Sequence, residues 1–127
     1  MKRWAIELAV LGAILLILGA HWIKRAELPH HDAVLDGRTC HTPATILDPP
    51  LGVARVGSAI VLHGLSADRR MMMYLGSDFA GHGFRTYLFD LAGHGDNADP
   101  FTFPRAEQCA AIAIDSLTRS GAIDPRK

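Results

Sequence analysis

Four contiguous apolar residues, Ala59-Ile60-Val61-Leu62, stop abruptly at His63-Gly64. The run is too short for a helix, includes two β-branched residues and does not alternate with polar ones. Such a run reads as a strand buried on both faces, which requires a parallel sheet covered by helices on either side. The downstream sequence fits that demand. Ser66 or Asp68 is placed to cap a helix on which Met72, Leu75 and Phe79 share one face, and Gly81 and Gly83 end it. A second strand rich in aromatic and branched residues runs from Phe84 to Leu91. Thr102 and Pro104 then open another helix, whose apolar stripe is Ala106, Cys109, Ala110, Ala113 and Leu117 and whose stop is Gly121. Strand, helix, strand, helix over residues 58–127 is the order of a doubly wound α/β fold.

The chain before residue 58 is of two kinds. Residues 26–57 read as a linker with weak strands, marked by an Asp36-Gly37 turn and a β-prone Thr45-Ile46-Leu47 ahead of Pro49-Pro50. Residues 1–25 read as a membrane anchor. Trp4 to Ile23 is almost uninterrupted apolar sequence with Glu7 its one charge. As a helix it would span roughly 30 Å, the thickness of a bilayer core. Lys2, Arg3, Lys24 and Arg25 flank the run, and Trp4 and Trp22 stand where interfacial aromatics belong. A cleaved signal peptide is the rival reading, but Leu18-Gly19-Ala20 is a poor cleavage site because the large Leu18 fills a position that prefers a small residue. The expectation is a single-pass helix over residues 4–23 with the remainder extracytoplasmic.

Thirteen basic residues balance thirteen acidic ones, which leaves no electrostatic footprint for nucleic acid. Apolar residues at 49% and charged residues at 20% place most of the chain among folded rather than disordered sequences. The two cysteines, Cys40 and Cys109, lack the close spacing of a metal or redox motif. A disulfide between them is not expected, since the elements that carry them need not be adjacent, and Cys109 reads as a small buried hydrophobe. His30-His31-Asp32 with His41 matches no compact zinc pattern and reads as a polar linker. No metal or cofactor site is assigned. Met71-Met72-Met73 reads as core filler and Arg69-Arg70 as a solvated pair.

Two loops bear on chemistry. The first, His63-Gly64-Leu65-Ser66, leaves the buried strand; a glycine at 64 would let the chain turn sharply and leave the Leu65 N–H pointing into a site. Backbone N–H groups aimed at a tetrahedral oxyanion are worth several kcal/mol in acyl transfer, on the order of 2.7–4 for one donor. The second, Asp90-Leu91-Ala92-Gly93-His94-Gly95, leaves the next strand. Gly93 to Ala98 formally fits a dinucleotide fingerprint, but Asp99-Pro100-Phe101 prolongs the loop where a helix must open, so that reading is set aside.

These strands and loops together resemble the N-terminal half of an α/β-hydrolase, within it the monoacylglycerol lipase, lysophospholipase and serine aminopeptidase-like group. The second loop resembles the family's Asp-x-x-Gly-His-Gly-x-Ser at Asp90, Gly93, His94 and Gly95, with Asn97 in the serine's place. The resemblance implies that Leu65 is an oxyanion-hole donor, that His63 and Gly64 shape the loop, and that His94 is not the catalytic histidine. It implies ester or peptide-bond hydrolysis by a serine nucleophile without metal or organic cofactor. The 127 residues contain no Gly-x-Ser-x-Gly; Ser58, Ser66, Ser77, Ser116 and Ser120 all lack that setting. The expected reading is a membrane-anchored hydrolase fragment, inactive alone, whose substrate could be handled only once a C-terminal half is supplied. A non-catalytic membrane-anchored interaction module is the alternative.

Overall fold

The computed structural model describes residues 3–25, 28–37 and 39–124, and within the first helix the side chains of residues 4 and 6–19. Helix α1 spans Arg3–Arg25, β1 His30–Asp36, β2 His41–Leu47, β3 Gly57–Leu62, α2 Met73–Gly81, β4 Phe84–Phe89 and α3 Phe103–Arg119. One four-stranded sheet has the order β1-β2-β4-β3. β1 and β2 form an antiparallel hairpin, β2 is antiparallel to β4, and β3 runs parallel to β4 with Gly57 opposite Phe84 and Leu62 opposite Phe89.

Helices cover both faces of the sheet, but the expected burial of Ala59-Ile60-Val61-Leu62 on both faces is not met: β3 lies at the edge of the described sheet, only Val61 of the run is buried, and Leu62 is exposed. Along β4 the pleat alternates. Tyr87 and Phe89 point to one face, where Leu35, Ala44 and Ile46 meet Ala113 and Leu117 of α3. Leu88 points to the other, with Leu47 and Val61 against Ala80 of α2. Met72, Met73 and Leu75 pack on that second cluster, so two of the three consecutive methionines fill core while Met71 stays exposed. Gly76 of α2 lies so close to the sheet that a Cβ there would come within 3.0–3.1 Å of Leu88 and Leu47. Both helix stops hold: Gly83 and Gly121 take positive φ of 92° and 71°. Thr102 accepts a hydrogen bond from the Arg105 N–H at 3.1 Å and so caps α3.

Three further expectations are corrected. Helix α2 opens at Met73, with no side-chain cap at Met72; Asp68 instead accepts from the Met71 N–H at 3.0 Å, closing a turn before the helix begins. Second, β4 ends at Phe89: the Asp90 N–H still donates to the Pro43 carbonyl of β2 at 2.9 Å, but the Leu91 N–H turns to His63 and the Asp90 side chain to the Arg69 N–H. The third concerns Cys40 and Cys109, which form a disulfide with Cα atoms 5.5 Å apart. The antiparallel hairpin brings the start of β2 over the buried face of α3, a juxtaposition that a sequence separation of 69 conceals.

Among the described residues no helix is long and apolar enough to cross a membrane. Lys2 lies outside the described residues, as do the side chains of Arg3 and of positions 20–25, so the expected flanking charges and Trp22 fall there too. The described part of α1 exposes apolar side chains around its circumference, Leu8, Leu11, Leu15, Leu16 and Ile17 among them.

Candidate functional site

Two loops leave the C-terminal ends of the parallel strands β3 and β4, residues 63–69 and 90–97, and they are tied together by buried polar groups. His63 is 5% exposed. Its Nε2 accepts from the Leu91 N–H at 3.0 Å, which fixes the tautomer: Nδ1 carries the proton and donates to the Gly64 carbonyl at 2.9 Å. The ring therefore ties one loop to the other. His94 does similar local work. Its Nδ1–H donates to the Ala92 carbonyl at 3.0 Å, and its ring packs at 5.1 Å from both His63 and Phe101.

Asp90 is the hub. Its side chain is fully buried, and one carboxylate oxygen accepts from the Arg69 backbone N–H at 2.8 Å. The other accepts from the Asp96 N–H at 2.9 Å and from the Arg69 guanidinium. Arg69 also reaches Thr45 of β2 at 3.1 Å and Asp96 at 2.8 Å. The expectation of a solvated arginine pair thus fails for Arg69, which is 6% exposed, and holds for Arg70, an exposed partner of Asp96. Burial works against the Arg69 charge, but the Asp96 hydrogen bond and the Asp90 charge outweigh it and raise its pKa. Hydrogen bonds from Arg70 and Arg69 hold the Asp96 carboxyl below its ordinary range.

Backbone shape follows from this hub. Gly95 has φ of 53°, and a Cβ there would fall inside the Asp90 carboxylate. Gly93, at φ 73°, lies against Phe101, where a Cβ would come within 2.5 Å. Asn97 is buried and donates through Nδ2 to the Asp90 carbonyl at 2.9 Å, while its Oδ1 accepts from the Asp99 N–H at 3.0 Å. Asparagine in the serine's place is thus an integral tie of the loop.

Leu65 lies in the turn after β3 with its side chain two-thirds exposed (67%). Among the described residues its N–H has no hydrogen-bond partner. The left-handed residue of this turn is Ser66, with φ 66°, rather than Gly64. A Cβ at 64 would meet nothing within 4 Å, so the expected need for glycine to make the turn is not what the geometry shows; the space in front of Gly64 is open.

No sequence signal points to Arg69, since its partners stand 21 and 27 positions away. Beside the turn, β3 has no neighbour on its outer edge among the described residues. There an apolar groove of about 480 Å³ runs between Leu62, Leu91 and the Phe103, Ala106, Ala110 and Ile114 side of α3.

A parallel β3–α2–β4 unit extended by an antiparallel hairpin, with braced loops at the strand ends, is hydrolase-like architecture. Residues 59–126 match the model of the alpha/beta hydrolase family, and the chain belongs to that family. Solved structures agree on the fold. An alpha-beta serine hydrolase homologue from Coxiella burnetii superposes with a TM-score of 0.61 at 15% identity, over 74% of this chain and 48% of its own. A serine hydrolase without a lid from Xanthomonas campestris gives 0.58 at 21% identity, over 72% and 44%. A membrane phospholipase A, described as a bacterial virulence factor, gives 0.54 at 16%, over 92% and 41%. The chain thus spans less than half the length of each of these structures. No curated protein matches it.

Proposed function

We propose that this chain carries the oxyanion side of a membrane-anchored serine hydrolase of the esterase, lipase or peptidase type, and that these 127 residues alone are inactive. The Leu65 N–H carries the reading: it is unpartnered among the described residues, in a turn at the end of the parallel strand β3, beside open space over Gly64. Such a donor is in place before any substrate arrives, and that preorganisation is what makes oxyanion stabilisation effective. His63 keeps the turn in register with the Leu91 loop and takes no part in proton transfer, because both ring nitrogens are engaged by backbone groups. A nucleophile, its acid and its histidine would have to come from sequence other than this. The anchoring part of the proposal rests on the described part of α1, whose apolar side chains face outward around the helix, the pattern of a helix that needs an apolar surrounding. The disulfide supports an extracytoplasmic, oxidising location for the sheet.

The test is to present the full chain, in detergent micelles, with a fluorophosphonate probe and with p-nitrophenyl butyrate. Neither labelling nor turnover above buffer is expected. A labelled serine would overturn the reading. The open β3 edge and its apolar groove favour a second reading, in which a partner's strand completes the sheet and the chain serves as an interaction module. Stoichiometric capture of a defined partner, with protection of the β3 amides from exchange, would select it.

A further inference from the structure

The Cys40–Cys109 disulfide lies beside an acid. Cys40 precedes β2, Cys109 sits on the buried face of α3, and Asp99 belongs to the loop after β4. Their ligand atoms all lie within 4.8 Å of one another, and both cysteines are fully buried. Asp99 Oδ1 accepts from Arg105 at 3.0 Å, whereas Oδ2 faces Cys109 Sγ at 3.6 Å. A disulfide sulfur carries no proton, so the oxidised form offers that oxygen no donor from the sulfur. Arg105 is itself fixed, because it also donates to the Thr39 carbonyl next to Cys40 and to Gln108 at 3.2 Å.

We propose that Cys40, Cys109 and Asp99 are a redox-gated site for a thiophilic divalent cation of the zinc type. Two sulfurs and a carboxylate oxygen on three separate segments are a donor set suited to such a cation. Arg105 plays the outer partner, holding one carboxylate oxygen so that the other points at the sulfurs. Charge accounts for the gating. In the disulfide form the Asp99 and Arg105 charges cancel, and nothing calls for a further cation. With both sulfurs as thiolates the four groups sum to two negative charges, which one divalent cation neutralises.

The chemistry balances in two steps. A small dithiol transfers two electrons and two protons to the S–S bond, which breaks into two thiols as the reductant closes to its own disulfide. The cation then binds both sulfurs and the two thiol protons leave to solvent. In the reverse direction a small-molecule disulfide takes the two electrons and, with two protons from solvent, becomes a dithiol, while the S–S bond re-forms and the cation leaves.

The experiment uses the full chain in micelles, oxidised or reduced with a dithiol that is then removed anaerobically, and titrates it with Co²⁺. The reduced chain is expected to show thiolate-to-cobalt charge-transfer absorption saturating at one equivalent, displaced by Zn²⁺, and the oxidised chain none. Cys109→Ser should abolish the band. Asp99→Asn, which keeps both sulfurs, should retain it while weakening apparent affinity on the order of 10- to 100-fold, at least what loss of an outer partner costs. Far-UV circular dichroism reports folding in each case. The proposal falls if the folded reduced chain shows no band, if reduction unfolds the chain and Co²⁺ does not restore it, if the band survives unfolding in urea, or if Asp99→Asn binds as tightly as the parent.

Discussion

Replacing Arg69 with methionine isolates the weight of the buried ion pair. Methionine keeps the length of the side chain's apolar stem, so the change removes charge more than volume. Asp90 would then be a fully buried carboxylate held by two backbone N–H groups, from residue 69 and from Asp96, with no cation in contact. Breaking one side of such a pair costs about 3–5 kcal/mol, because the remaining charge is left uncompensated. A domain of this size has roughly 5–15 kcal/mol in total, so the effect is a large share of its stability. With a urea slope of about 1–3 kcal/mol per molar, the midpoint should fall by at least about 1 M. Both tryptophans, Trp4 and Trp22, lie on α1, so unfolding of the sheet must be followed by far-UV circular dichroism instead of indole fluorescence. Adding Asp90→Asn to Arg69→Met removes the stranded charge and still leaves a carbonyl acceptor for one backbone N–H. The double variant should therefore be more stable than Arg69→Met alone by more than about 1 kcal/mol. If Arg69→Met costs less than about 1 kcal/mol, or Asp90→Asn brings no relief, the buried-pair argument is refuted.

The same loops and the helix give further expected outcomes. Gly95→Ala combines a left-handed φ with a collision against Asp90, so it should lower the melting temperature by more than about 8 °C. Gly52→Ala, with φ 87° but open space around it, should lower it distinctly less. Because the Asp96 carboxyl titrates below its ordinary range, its contribution is complete above the unfolded value of about 3.9 and is lost as pH falls through the lower folded value. Urea midpoints of Asp96→Asn should accordingly fall less than those of the parent over that acidic window; equal slopes would contradict the assignment. Alkaline carbonate should leave the chain in the membrane pellet, and its release intact into the supernatant would remove the anchor from the proposal.

The parts of the fold legible in the sequence are those where one physical signal dominates. Ala59 to Leu62 is a continuous apolar run, Phe84 to Phe89 is rich in aromatic and branched residues, and the Thr102 cap and Gly121 stop mark α3 at both ends. β1 is faint for the opposite reason. It is an edge strand whose first three residues, His30, His31 and Asp32, are exposed, and a polar edge discourages association while hiding the strand's identity. Arg69 and the disulfide stay hidden because burial of a charge and pairing of distant sulfurs are properties of tertiary approach, which local pattern does not encode. Of the candidate site, the two loops are readable from their place after the strands, whereas the sharp turn credited to Gly64 has its left-handed residue two positions further on, at Ser66.

The sheet order carries a consequence for synthesis. β4, the last in sequence of the four described strands, lies in the middle, with β2 on one side and β3 on the other. As the chain emerges, the β1–β2 hairpin can close at once, but β3 has no hydrogen-bonding neighbour until β4 arrives and separates it from the hairpin. Through that interval the most apolar strand of the sheet is bare, and the order of emergence makes it the segment a holding chaperone would cover. Delaying the emergence of β4 once β3 has left the ribosome would lengthen the exposure and lower the soluble yield, with no change to the fold of these strands.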